Sequence, residues 1–132
     1  GIRQVDKLDS VSQIRNRNFF TYNSLIKNDY WMPKQKENTY VSNFAYPVIH
    51  PNRDNIARKL QDNNVEVRPL ICGSMCNQPF YIKKYGRKKL RNSDIVDRYG
   101  LYLPNHPNLK DSEIETISSI VMESIKWAFL KI

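Results

Sequence analysis

The sequence predicts an α+β domain, a small three-stranded sheet covered by helices, and three observations lead there. Apolar residues recur at three- and four-residue steps in two long stretches, one near each end of the chain. Between them lie short runs rich in β-branched and aromatic residues, bounded by Pro, Gly or Asn. The 132 residues, 40% hydrophobic and 26% charged, have the size and composition of one folded domain rather than two, or of a disordered chain. No apolar run approaches the roughly 20 residues of a membrane helix, and no signal peptide opens the chain. The first residue is Gly1, not Met, so the expectation is a single domain, 1–132, cut from a longer protein.

Ser10 followed by Gln13 reads as a capping box at a helix start. The helix then runs to about Asn28, with Leu8, Val11, Arg15, Phe19, Tyr22 and Ile26 on one face. Residues 33–39 form an exposed connection. Tyr40 to Ile49 is the first strand, with Phe44, Tyr46 and Val48 to one side; Pro47 has no amide to donate and places it near a sheet edge. Asn52 caps a helix carrying Ile56 and Leu60, which Asn63-Asn64 closes in a left-handed turn. Val65 to Ile71 is the second strand, expected to pair with the first. Residues 72–91 read as irregular. Asn92 then caps a short helix carrying Ile95 and Val96 and ended by Gly100, and Leu101–Leu103 is a third strand stopped by Pro104. The last helix begins near Asp111 and turns Ile114, Ile117, Val121, Ile125 and Ala128 inward, widened by Ile120 and Phe129.

Charge is concentrated. The chain carries 21 Lys and Arg against 13 Asp and Glu, a net charge of +8. Lys83, Lys84, Arg87, Lys88, Lys89 and Arg91 lie in one short window, and without them 15 cations face 13 carboxylates. One basic segment therefore sits on a nearly neutral body. It suits phosphates, of a small phosphorylated ligand through Lys83, Lys84 and Arg87, or it is a solvated loop. A nucleic-acid binder spreads its cations over a face interleaved with aromatics, and here only Tyr81 and Tyr85 are near.

No complete catalytic constellation is visible. Cys72 and Cys76, spaced C-x3-C, lack the two further ligands zinc needs, since only His50 and His106 exist; no metal site is expected. Four glycines, at 1, 73, 86 and 100, cannot build a phosphate-cradling loop. No spacing marks a nucleophile and its base, so no catalytic residue is assigned and the chain alone is not a complete enzyme. The loop after the second strand differs in character: Arg68, Ser74, Asn77 and Gln78 gather hydrogen-bonding groups just ahead of the cations. Arg68 offers a fork for an anionic or hydroxyl-rich ligand, with a structural ion pair as its plain alternative. His106, between Asn105 and Pro107, is a substrate contact or a turn histidine.

The motif order resembles a known family. Gly1-Ile2-Arg3-Gln4-Val5-Asp6-Lys7-Leu8-Asp9 and Arg15-Asn16-Arg17-Asn18 are similar to the segment that follows the large domain in DegT/DnrJ/EryC1/StrS enzymes, the pyridoxal-phosphate-dependent sugar aminotransferases of fold type I. The pattern continues through Arg53-Asp54, Val65-Glu66-Val67-Arg68-Pro69-Leu70, Gln78-Pro79-Phe80-Tyr81 and Leu103-Pro104-Asn105-His106-Pro107-Asn108-Leu109, with Asp111, Ser112, Glu113 and Ile114. The resemblance covers nearly all of the chain and implies the C-terminal small domain of such an enzyme. It implies pyridoxal 5'-phosphate held mainly by a large domain upstream, and no lysine here matches the family's Schiff-base lysine. It further implies a nucleotide-linked sugar as substrate, a homodimer, a cytoplasmic location, and a role in polysaccharide or lipopolysaccharide biosynthesis, with no membrane or nucleic-acid partner. By position, Arg68 and the Gly73–Gln78 loop would face the substrate. Where many of these aminotransferases carry a His-Tyr stretch, Arg68-Pro69-Leu70-Ile71-Cys72-Gly73-Ser74 is closer to the branch of the 4-keto-6-deoxy-sugar 3-dehydratases, which use histidine in place of that lysine. A free-standing basic module that binds nucleic acid is the rival from another class, and steep loss of affinity with salt would mark it.

Overall fold

The computed structural model describes residues 2–70 and 73–129. Ile71 and Cys72 lie outside them, as do the side chains of Ala128 and Phe129. The elements are α1 (Ile2–Val5), α2 (Leu8–Leu25), β1 (Ala45–Ile49), α3 (Arg53–Asp62), β2 (Arg68–Pro69), a 3-10 turn (Met75–Asn77), α4 (Pro79–Tyr85), α5 (Arg91–Tyr99), β3 (Gly100–Pro104) and α6 (Asp111–Phe129). They make the expected α+β domain, with a three-stranded antiparallel sheet among the described residues.

Strand order is β1-β3-β2, so the second strand does not pair with the first as expected. β3 enters between them because its alternation matches β1. Leu101 stands opposite Val48 and Leu103 opposite Tyr46, all four buried on the helix-covered face. Pro47 lies on an edge strand, as its missing amide requires. β2 shrinks to two residues, Arg68 opposite Tyr102 and Pro69 opposite Leu101.

Helices α2, α3 and α6 cover the inner face through Phe19, Tyr22 and Ile26, through Ile56 and Leu60, and through Ile114, Ile117, Val121 and Ile125. Tyr22 and Tyr46 stack at 4.7 Å. The capping box at Ser10 does not form. The chain is already helical at Lys7, so Ser10 lies inside α2 and its hydroxyl donates to the Lys7 carbonyl. Asn28 falls beyond the helix end; its amide donates to the Ile49 carbonyl at 3.0 Å and pins β1. Asn52 does take the N-cap position of α3, but its side chain donates to the Ser124 carbonyl of α6 at 2.7 Å instead of capping. Asn64 closes α3 at φ +59°, as expected.

The stretch read as irregular, 72–91, is partly helical. Pro79 starts α4 at a first-turn position where its missing amide costs nothing, and Gly86 ends it at φ +75°. α5 begins at Arg91, so Asn92 sits within it rather than capping it. Upstream, Gly73 adopts φ +51° and packs against α5 so tightly that a Cβ there would lie 1.9 Å from Asp97 Oδ1. Asp97 is held in place because Asn77 Nδ2 donates to it at 3.3 Å and to Asp94 at 3.0 Å. Residues 73–77 are thereby clamped onto α5.

His50, at the end of β1, is buried, with Nδ1 accepting the Asn52 backbone N–H at 3.0 Å. That bond needs a neutral ring, and burial moves the His50 pKa below its usual value. The neutral ring's share of stability is complete above the unfolded value near pH 6.5 and is lost as pH falls through the lower folded value. An NMR titration should therefore give His50 a midpoint below 6.5. Gly73→Ala should cost about 1–3 kcal/mol in urea unfolding, from a left-handed alanine and a displaced Asp97. Asp97→Ala in the same chain should restore part of that loss, whereas additive effects would show that the two do not touch.

Candidate functional site

Because β2 pairs only with Leu101 and Tyr102, the Leu103–Pro104 half of β3 has no strand neighbour on that side. A groove of about 730 Å³ opens there, between β3, the first turns of α6 and residues 63–66. Its surface is largely apolar, with Leu103, Leu109 and Ile117 below and the Phe44 and Tyr102 rings in contact at 5.3 Å. Arg68, His106 and Glu113 supply polar groups along it.

Arg68 reaches the groove because it stands opposite Tyr102 in the ladder, on the sheet face away from the core. Its Nε and Nη2 donate to Glu66 Oε1 at 3.0 and 2.6 Å, and both side chains are about three-quarters exposed (76% and 75%). So exposed a pair opens at little cost, and a ligand anion can displace the glutamate. His106 is exposed, on a backbone fixed from both sides. Asn18 donates to its carbonyl at 3.4 Å, and the buried Asn105 donates to the Asn43 carbonyl at 2.8 Å and the Arg15 carbonyl at 3.3 Å. Glu113 Oε2 accepts the Lys110 backbone N–H at 2.7 Å, which fixes the start of α6 and the carboxylate together.

The other residues singled out in the sequence form a second group, none of which lines the groove. Ser74 is fully buried, and its hydroxyl finds no partner among the described residues. Asn77 is engaged with Asp94 and Asp97, and Gln78 joins the 3-10 turn to α4. Lys83 and Lys84 occupy the last turn of α4, and Arg87 follows Gly86; all three are exposed. Of the groove residues, Phe44 and Tyr102 carried an aromatic strand signal, while Glu113 figured only in the closing motif of the family resemblance, with no role attached.

Among the described residues no three His, Cys, Asp or Glu side chains come close enough to hold a metal ion. Cys76 is a buried free thiol. No lysine lines the groove, and the described lysines are exposed apart from the half-buried Lys59. The groove can bind and orient an anionic or hydroxyl-bearing ligand. No described helix is long and apolar enough to cross a membrane.

Comparison with known proteins gives these features a context. Two curated relatives, the GDP-4-keto-6-deoxy-D-mannose 3-dehydratases of Yersinia pseudotuberculosis and Escherichia coli O55:H7, are each 22% identical over 129 residues, 92% of this chain and 33% of their own length. The chain thus spans about a third of the relatives it matches. Among solved structures, a DegT DnrJ EryC1 StrS aminotransferase from Brucella abortus superposes with a TM-score of 0.81 at 21% identity, over 91% of this chain and 32% of that one. The Helicobacter pylori aminotransferase involved in pseudoaminic acid biosynthesis gives 0.79 at 17% identity, over 96% and 36%. A family model matches residues 1–122, nearly the whole described chain, and on that match the chain belongs to the DegT/DnrJ/EryC1/StrS aminotransferase family.

Proposed function

We propose that this chain is the C-terminal small domain of a pyridoxal-phosphate-dependent enzyme acting on a nucleotide-linked 4-keto-deoxysugar, in the main reading a sugar aminotransferase. The observation that carries the reading is the family match over residues 1–122 in a chain a third as long as its relatives. The lack of any lysine in the groove accords with it, since the cofactor's covalent partner then lies in the preceding large domain. This domain closes one side of the cleft. Arg68 and His106 face the substrate from the groove, with Arg68 exchanging Glu66 for a hydroxyl of the sugar, while Ser74, Asn77 and Gln78 brace the loop that follows β2.

A second reading, a 4-keto-6-deoxy-sugar 3-dehydratase, is favoured by one observation: both curated relatives carry that activity in their names. The two readings share fold, cofactor and substrate class and differ in a residue upstream. A homodimer in the cytoplasm, serving polysaccharide or lipopolysaccharide synthesis without a membrane or nucleic-acid partner, completes the proposal.

The native polypeptide from its source should exceed 15.6 kDa and absorb in the visible as a cofactor-bound enzyme does. A 15.6 kDa chain without that band would remove the reading. In the full-length enzyme, Arg68→Ala should lower kcat/KM for the nucleotide sugar about tenfold or more while the visible band stays, as expected for a lost charge-assisted hydrogen bond. Unchanged kinetics would take Arg68 out of the site.

A further inference from the structure

Helix α4 rests on the 3-10 turn through the half-buried Tyr81 and Ile82 and leaves the rest of its surface, and the turn after it, exposed. None of the α4 side chains is buried. Phe80 is 61% exposed and Tyr85 55%, an unusual display for rings that could have packed inward. Tyr81 and Tyr85, one helical turn apart, stand 4.9 Å from centroid to centroid, and Lys84 Nζ lies 5.3 Å over the Tyr85 ring. Lys83 and Lys84 are three and four residues after Phe80 and share its side of the helix. Gly86 then turns the chain at φ +75°, with open space around it, and Arg87, Lys88, Lys89 and Arg91 follow, all exposed.

These six cations have no carboxylate within ion-pair distance among the described residues; the ion pairs lie elsewhere, at Arg17–Asp111, Arg53–Asp54 and Arg68–Glu66. The acidic side chains of α5 that stand closest in sequence, Asp94 and Asp97, are engaged by Asn77. Like charges this dense repel one another unless a polyvalent anion sits among them. Rings for stacking beside cations for phosphate are what a nucleotide needs. The size of the platform limits the ligand. Seven helical residues span roughly 10 Å, room for one base and its phosphates, whereas single-stranded nucleic acid occupies tracks of about 4–16 nucleotides.

Building on the nucleotide-sugar reading above, we propose that α4 and the 86–91 turn seat the nucleoside diphosphate half of the substrate. The base stacks on the exposed Phe80 ring, and Lys83 and Lys84 on the same side of α4, with Arg87 after the turn, hold the diphosphate. The sugar is left free to enter the cleft.

The test uses the full-length, cofactor-bound protein, titrated calorimetrically with GDP, UDP, CDP, dTDP and inorganic pyrophosphate. At least one nucleoside diphosphate should bind. The triple variant K83Q/K84Q/R87Q should weaken that nucleotide and pyrophosphate about tenfold or more, the scale of lost charge-assisted hydrogen bonds. The variant F80A should weaken the nucleotide but leave pyrophosphate unchanged, a split that non-specific charge attraction would not produce. Both variants alter exposed side chains only, and an unchanged melting temperature confirms that each is folded. Failure of all four nucleotides to bind, or equal affinity in wild type and both variants, would overturn the proposal. So would tight binding of a single-stranded RNA 12-mer, steeply salt-dependent and lost in the triple variant, with nucleotide affinity untouched. The visible cofactor band is a separate readout: its absence refutes the enzyme reading, whereas an unchanged titration refutes the seat on α4 alone.

Discussion

Tyr22 of α2 and Tyr46 of β1 lie ring on ring at 4.7 Å, and each carries a hydroxyl into a core that water does not reach. A buried hydroxyl without a partner costs about 1–3 kcal/mol, so both must be satisfied. Tyr22 donates to the Pro104 carbonyl at the end of β3 at 2.9 Å, and Tyr46 donates to Asn23 of α2 at 2.7 Å. Two rings and two hydrogen bonds thus tie α2 to β1 and β3 at once and set the rotation of the helix about its axis. Burial holds both phenols protonated well beyond the usual tyrosine range, so the bonds persist at any ordinary pH. The same rotation brings Asn18 to the His106 carbonyl and the Arg15 carbonyl to Asn105. The loop beside the groove inherits its position from this contact.

The groove and the α4 platform come from opposite economies of structure. One exists because β2 stops after two residues and leaves half of β3 uncovered. The other exists because α4 buries nothing. Both are rich in groups that recognise anions and rings.

How much of this was legible depended on whether a residue's neighbours in sequence were also its neighbours in space. Ile56, Leu60, Ile114, Ile117 and Val121 announced their helices by spacing alone, and the buried faces follow it. Pro47 marked an edge strand by what it lacks. The pairing of β2 with β3 was not legible, because two strand-like runs look equally good partners until the register of a third, some fifty residues beyond β1, decides between them. Ser10 and Asn52 were read as helix caps and Asn28 as a helix end, but Ser10 bonds within its own helix, and Asn52 and Asn28 bind carbonyls on distant elements, which no local motif encodes. Helix α4 was missed although Pro79 and Gly86 bracket it, because a helix that buries no face leaves no apolar period to read. In the site, Arg68 was legible as a fork at a strand end, whereas Glu113 reaches the groove only through packing of α6.

The strand order also governs when this domain can exist. The two outer strands are made first and cannot pair with each other; each has a partner only once Gly100–Pro104 has been added. Until then α2 and α3 have no complete sheet to lie on, and Tyr22 has no carbonyl at Pro104 to bind. A nascent chain therefore carries its apolar helix faces uncovered through most of its synthesis, and it closes only as β3 and α6 arrive together. A stop codon anywhere before residue 100 would yield no shortened domain but an open chain that chaperones and proteases recognise.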